Sequence, residues 1–124
     1  MKGLTTKQID TLVEALCIVE SNNNPIAVGD DGHAVGILQM WVIQVNECNR
    51  IMKKKVWDHM DRLDPVKSKD MCVIFLRYWT NLRGITNTVQ AGGLWRNPNG
   101  KAPGWYLDKV RKALEVVNDK QRTG

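Results

Sequence analysis

The sequence predicts a mainly α-helical domain, of α+β character, with one small irregular or β-like lobe after the first helix. Three observations carry this. Apolar residues recur at spacings of three and four in separate stretches, the signature of amphipathic helices. Helix-start signals precede two of those stretches, Thr5-Thr6 and Asp64-Pro65. Between the first two helical stretches lies a run rich in Asn, Gly, Asp and Pro, which favours turns.

The elements follow in order. Thr5 or Thr6 caps a first helix whose inward stripe is Ile9, Leu12, Val13, Leu16 and Cys17. The stripe continues to Val19 and Glu20, and Asn22-Asn23-Asn24-Pro25 ends the helix. Val28 to Gly36 reads as a turn-rich loop or a short, weak hairpin. A second helix is expected over Ile37 to Met52. Asp64-Pro65 begins a third, with Met71, Ile74, Phe75, Tyr78, Trp79 and Leu82 on one face and Gly84 as its stop. Thr86 to Ala91 forms another short helix. Gly92 to Gly100 reads as a long loop. A last helix runs from about Trp105 to Val117, with Leu107, Val110, Leu114 and Val117 inward.

Composition bounds the function. A length of 124 residues suits one domain, 1–124, and 43% hydrophobic with 25% charged residues is ordinary for a globular chain. No apolar run approaches the roughly 20 residues that span a bilayer, so no membrane insertion is expected. The opening Met1 to Gln8 lacks an apolar core segment, so no secretory signal is expected there. The net charge of +5 suits a polyanionic partner such as a bacterial wall or nucleic acid, or solubility alone. Three cysteines, an odd number with no Cys-x-x-Cys pair, read as buried free thiols rather than a disulfide or zinc framework. No metal or cofactor is called for.

Glu20 is the chemically informative residue. It sits at a helix C-terminus, facing the negative end of the dipole, and continues an apolar stripe. Both effects raise its pKa, and a carboxyl group protonated near neutrality is what glycosidic cleavage needs as a general acid. The plain alternative is a glutamate that turns to water. Asp30 and Asp31 follow ten and eleven residues later, flanked by Gly29 and Gly32. Asp30 is the candidate holder of a water, and ordinary turn chemistry is its alternative. His33 in the same loop is either solvated or a substrate contact. Five tryptophans against one phenylalanine suit a sugar cleft, which wants flat aromatics beside amides. Trp57, Trp79 and Trp105 are equally suited to a core, whereas Trp95 lies in a Gly/Asn/Pro stretch that offers little core.

The order of these residues resembles the lysozyme-like superfamily, within it the lytic transglycosylase and goose-type lysozyme branch. Glu20-Ser21, Asn24-Pro25, Gly29-Asp30-Asp31-Gly32 and Gly36-Ile37-Leu38-Gln39-Met40 are similar to the family's central block. Asn46 to Ile51, Asp64-Pro65 with Ser68 and Met71, and Leu94 to Gly100 with Trp105-Tyr106 resemble later segments, so the likeness covers residues 9–117. The late block reads Trp-Arg-Asn-Pro-Asn-Gly where the family has Trp-Asn-Gly-Gly-Pro-Asn-Gly. The resemblance implies a lysozyme-like fold with Glu20 as catalytic acid and Ser21 hydrogen-bonding beside it. It implies Gln39 reaching the sugar, Met40 beside the cleft, and Trp95, Asn97 and Tyr106 in the late cleft wall. It further implies cleavage of the β-1,4 bond after N-acetylmuramic acid in peptidoglycan. The expected lack of a signal and the small size suit a monomer made in the cytoplasm and released as phage endolysins are, with a virion-borne or a bacterial remodelling enzyme as alternatives. The outcome is hydrolysis or, in the transglycosylase branch, a 1,6-anhydro product.

Two other classes stand beside this reading. A basic helical nucleic-acid binder would need a recognition helix rich in Arg and Lys, and the Ile37 to Met52 stretch carries only Arg50. A non-catalytic glycan-binding relative would keep the fold without turnover.

Overall fold

A computed structural model describes residues 3–123. Met1 and Lys2, at the start of the segment read for a secretory signal, and Gly124 lie outside the described residues.

The chain is mainly helical, with a two-stranded antiparallel sheet after the first helix. Helix α1 spans Thr6–Ser21. Thr5 caps it through a reciprocal pair with Gln8: each backbone N–H donates to the other's side-chain oxygen, at 2.8 and 3.0 Å. Its whole predicted stripe, Ile9 through Cys17, is buried, and Asn22 closes the helix in the left-handed conformation. Strands β1 (Val28–Gly29) and β2 (Ala34–Val35) form the hairpin, pairing Val28 with Val35.

Helix α2 spans Val42–Met52 and starts five residues later than the sequence pattern suggested. Residues 37–39 form a turn instead, and Met40 pairs back with Val35. Gly36 forces this. It holds φ at +85°, and a Cβ there would meet the Arg62 carbonyl oxygen at 2.0 Å. Gln39 is left-handed too, at φ 49°.

Helix α3 spans Pro65–Arg83, with Asp64 accepting from the backbone N–H groups of Val66 and Lys67, and Gly84 capping its end. Its buried face is not quite the predicted one. Met71 and Phe75 are buried, but Cys72, Leu76 and Thr80 complete the face, while Leu82 is exposed. The helix packs against α1, α2 and the following helix at once, so its buried arc is wider than a single stripe and rotated from it.

The next helix, α4, spans Thr88–Arg96 with Asn87 as cap. It runs through Gly92 and Gly93, which the sequence reading placed in a loop. A Cβ on Gly92 would come within 2.8 Å of Val110 and 3.2 Å of Leu12, so the missing side chain is what lets α4 press into the core. Close packing here outweighs the roughly 1 kcal/mol helix penalty of glycine. Helix α5, Gly104–Thr123, lies along α1 and α4, with Val110, Leu114 and Val117 buried as expected.

One core joins all five helices, and Cys17, Cys48 and Cys72 are free thiols within it. Burial pushes the Cys17 and Cys48 thiols up to about 12 and Cys72 well above its ordinary value, so all three stay protonated. Among the described residues no helix is long and apolar enough to cross a membrane.

Buried Arg62 fastens the lobe to the helices. Its guanidinium donates to the backbone carbonyls of His59, His33 and Met40 at 2.8, 3.2 and 3.1 Å. Desolvation lowers its pKa, and those three carbonyls satisfy it in place of a carboxylate.

Candidate active site

The end of α1, the hairpin lobe and the facing surfaces of α2, α3 and α4 enclose an open groove of about 830 Å³. Glu20 and Asp30 both line it. They arrive from different elements: Glu20 from the last turn of α1, Asp30 from the turn joining β1 to β2.

Glu20 is half-buried, and its Oε2 accepts a 2.6 Å hydrogen bond from the Tyr106 hydroxyl. Burial raises its carboxyl above the ordinary range. The Tyr106 hydrogen bond opposes that, as do the charges of Arg96 and Lys109, while the Asp30 charge adds to the rise. The outcome is a proton held more tightly than by a free carboxylic acid.

Asp30 and Asp31 both adopt left-handed backbone, at φ 51° and 56°, which aspartate tolerates better than most residues. Consecutive strained residues are retained where the surroundings fix them. Here Trp41 Nε1 donates to Asp30 Oδ2 at 3.3 Å, and the Trp41 ring stacks on His33 with centroids 4.8 Å apart. The exposed aspartate is thus tied to the groove wall.

The other residues read from the sequence fall into two groups. Ser21 donates to the carbonyls of Ile37 and Cys17, at 2.7 and 3.2 Å, and accepts from the Asn24 N–H. It fixes the chain on either side of the lobe and, contrary to expectation, neither bonds Glu20 nor lines the groove. Gln39 lines the groove, but its amide nitrogen is occupied by the Ala27 and Gly36 carbonyls, both at 3.0 Å. Only its carbonyl oxygen is left to face a ligand.

Four assignments are corrected. Met40 is fully buried and belongs to the core, not to the cleft side. Trp95 is only 3% exposed: its Nε1 donates to the Leu38 carbonyl at 3.1 Å, so it forms the groove floor as a core residue, not a loop platform. Asn97 caps α4 and packs on Gly100, while the neighbouring Pro98 and Asn99 line the groove. Tyr106 is buried and reaches the site as hydrogen-bond partner to Glu20 rather than as a wall.

Several groove residues escaped the sequence reading. Glu47 lies in the groove, clasped by Arg50 through two hydrogen bonds of 2.8 Å. Those bonds hold its carboxyl below the usual range, the opposite of Glu20. Trp79, which the sequence left between cleft and core, forms part of the floor; among the described residues its buried Nε1 has no acceptor in strict hydrogen-bonding geometry, although the Glu47 carboxylate lies close enough to feel it. Their signal was present in part, since Glu47 and Arg50 stand three apart on a helix.

Comparison with known protein families, with characterised proteins and with solved structures finds no match for this chain.

Tyr106→Phe tests the electrostatics directly. Removing the hydroxyl takes away a bond that favours ionised Glu20, so the carboxyl pKa rises further. An activity that needs protonated Glu20 is lost as pH rises through that pKa. The alkaline limb of the rate profile is therefore expected to move to higher pH, and an unmoved or acid-shifted limb would show that Glu20 does not govern it.

Proposed function

We propose that this protein is a glycan-cleaving enzyme of muramidase type, cutting the β-1,4 bond after N-acetylmuramic acid in peptidoglycan. The observation that carries the reading is Glu20: a partly desolvated carboxyl with a raised pKa, opening onto a groove that also holds Asp30. Protonated Glu20 gives its proton to the leaving glycosidic oxygen, and positive charge develops on the sugar. Asp30, on the opposing wall, orients the water that attacks. Glu47 is unsuited to the acid role because Arg50 favours its ionised form.

The groove surface supports a sugar substrate. Trp41 and Trp79 offer flat apolar area, and the Gln39 carbonyl and Asn99 amide offer polar contacts.

A second reading keeps the acid and changes the nucleophile. Glu20 is the groove carboxylate with a raised pKa, and a lytic transglycosylase needs only that one group, with the substrate's own 6-hydroxyl attacking. Turbidity loss on purified cell walls tests cleavage itself, and a wild-type protein that leaves the walls intact overturns both readings. Asp30→Asn separates them. With hydrolysis, the variant is expected to lose at least about tenfold in rate, and wild-type products carry reducing ends. With transglycosylation the variant keeps most activity and mass spectrometry finds 1,6-anhydro ends, lighter by one water.

A further inference from the structure

Arg96 ends α4 and lines the groove beside the proposed acid. Its guanidinium lies 4.8 Å from the Trp105 ring centroid and 5.5 Å from that of Tyr106, the same tyrosine that donates to Glu20. Among the described residues Arg96 makes no ion pair and no side-chain hydrogen bond. The other arginine of the groove, Arg50, is already occupied by Glu47. Lys109 adds a second positive charge, its Nζ 5.6 Å from the Trp105 centroid.

Two aromatic rings thus hold Arg96 by cation–π contact and leave its N–H donors unspent. A guanidinium presents those donors as a planar fork, which matches the two oxygens of a carboxylate. The fork lies near the acid, for its charge acts on Glu20. A neutral sugar offers such a cation only hydroxyls and amides.

We propose that Arg96, held by Trp105 and Tyr106, recognises a carboxylate carried by the glycan next to the bond that is cut, making the protein selective for acidic over neutral glycans. This rests on reading the groove as glycan-cleaving. On muramic acid the carboxylate comes from either of two sources: the lactyl group itself where no peptide is attached, or the attached peptide.

The experiment compares kcat/KM on three soluble preparations of wall glycan. One bears peptides, one has been stripped to free lactyl carboxylates, and one is the stripped glycan with those carboxylates converted to methylamides. The wild type is expected to prefer one or both acidic forms over the methylamide by at least about tenfold, the size of a charge-assisted hydrogen bond. Whichever acidic form leads identifies the source.

Arg96→Gln is expected to bring that ratio close to one, and Arg96→Lys, keeping charge but not the fork, to leave it intermediate. Because Arg96 also acts on Glu20, the ratio is read within each variant, where any effect on the acid cancels. A wild-type ratio near one, or a ratio that survives Arg96→Gln, overturns the assignment while glycan cleavage stands. If no preparation is cut, the cleavage reading falls and this inference with it.

Discussion

Glu20→Gln is expected to reduce wall cleavage by at least about a hundredfold, because a positioned general acid contributes roughly 10²–10⁴-fold. The amide keeps the shape of the carboxyl and can still accept from the Tyr106 hydroxyl, 2.6 Å away in the native protein, so the fold is retained. What disappears is the transferable proton. Stability moves the other way. The folded pKa of Glu20 lies above its unfolded value, so its contribution is most favourable below the unfolded pKa and is lost as pH rises through the folded one. At neutral pH the native protein holds a desolvated carboxyl that resists ionising, and Gln removes that burden. The variant should therefore melt higher than the native protein near pH 7 and equal to it near the bottom of the carboxylate range. Initial rates of turbidity loss and melting curves at both pH values check this. A purified variant retaining more than about a hundredth of the native rate would remove Glu20 from the acid role.

The sequence reading succeeded where local chemistry dictates structure. The Thr5–Gln8 capping pair, the Asp64-Pro65 start and the Gly84 stop bound their helices through groups within a few residues. Glu20 was legible for the same reason, since a helix end and an apolar stripe are both local facts. Asp30 was legible as a groove candidate because Gly29 and Gly32, which flank the Asp30-Asp31 pair, and the short loop confine where it can lie. What failed depended on distant partners. Gly92 and Gly93 read as loop because their reason for being small is the approach of Val110, Leu12 and Leu107 from other helices and of Ala102 from the chain before α5. The late start of α2 rests on Gly36 meeting Arg62, 26 positions along the chain. Arg96, Trp79 and Asn99 enter the groove only once α3 and α4 are packed, and no spacing between neighbours announces that.

Trp95→Ala is expected to be the most destabilising of the substitutions considered, and the loop expectation for this residue would have had it nearly neutral. The indole is 3% exposed and meets Phe75 edge-on with centroids 5.1 Å apart. Truncating a buried tryptophan to alanine costs about 3–5 kcal/mol through lost transfer energy and the cavity left behind. The change also strands the Leu38 carbonyl, which accepts from Trp95 Nε1 at 3.1 Å. In a domain of this length each kcal/mol moves the melting temperature by roughly 4 °C, so a fall of about 12–20 °C is expected. Trp95→Phe keeps one aromatic ring in the core but loses the N–H and part of the indole volume, and should fall by less than Trp95→Ala. Leu38 lies between β2 and α2, beside Gln39, so the indole tie also holds the lobe that carries one wall of the groove. Activity should therefore fall in step with stability for both variants. A Trp95→Ala protein that melts within about 4 °C of the native one yet fails to bind glycan would return this ring to direct sugar contact.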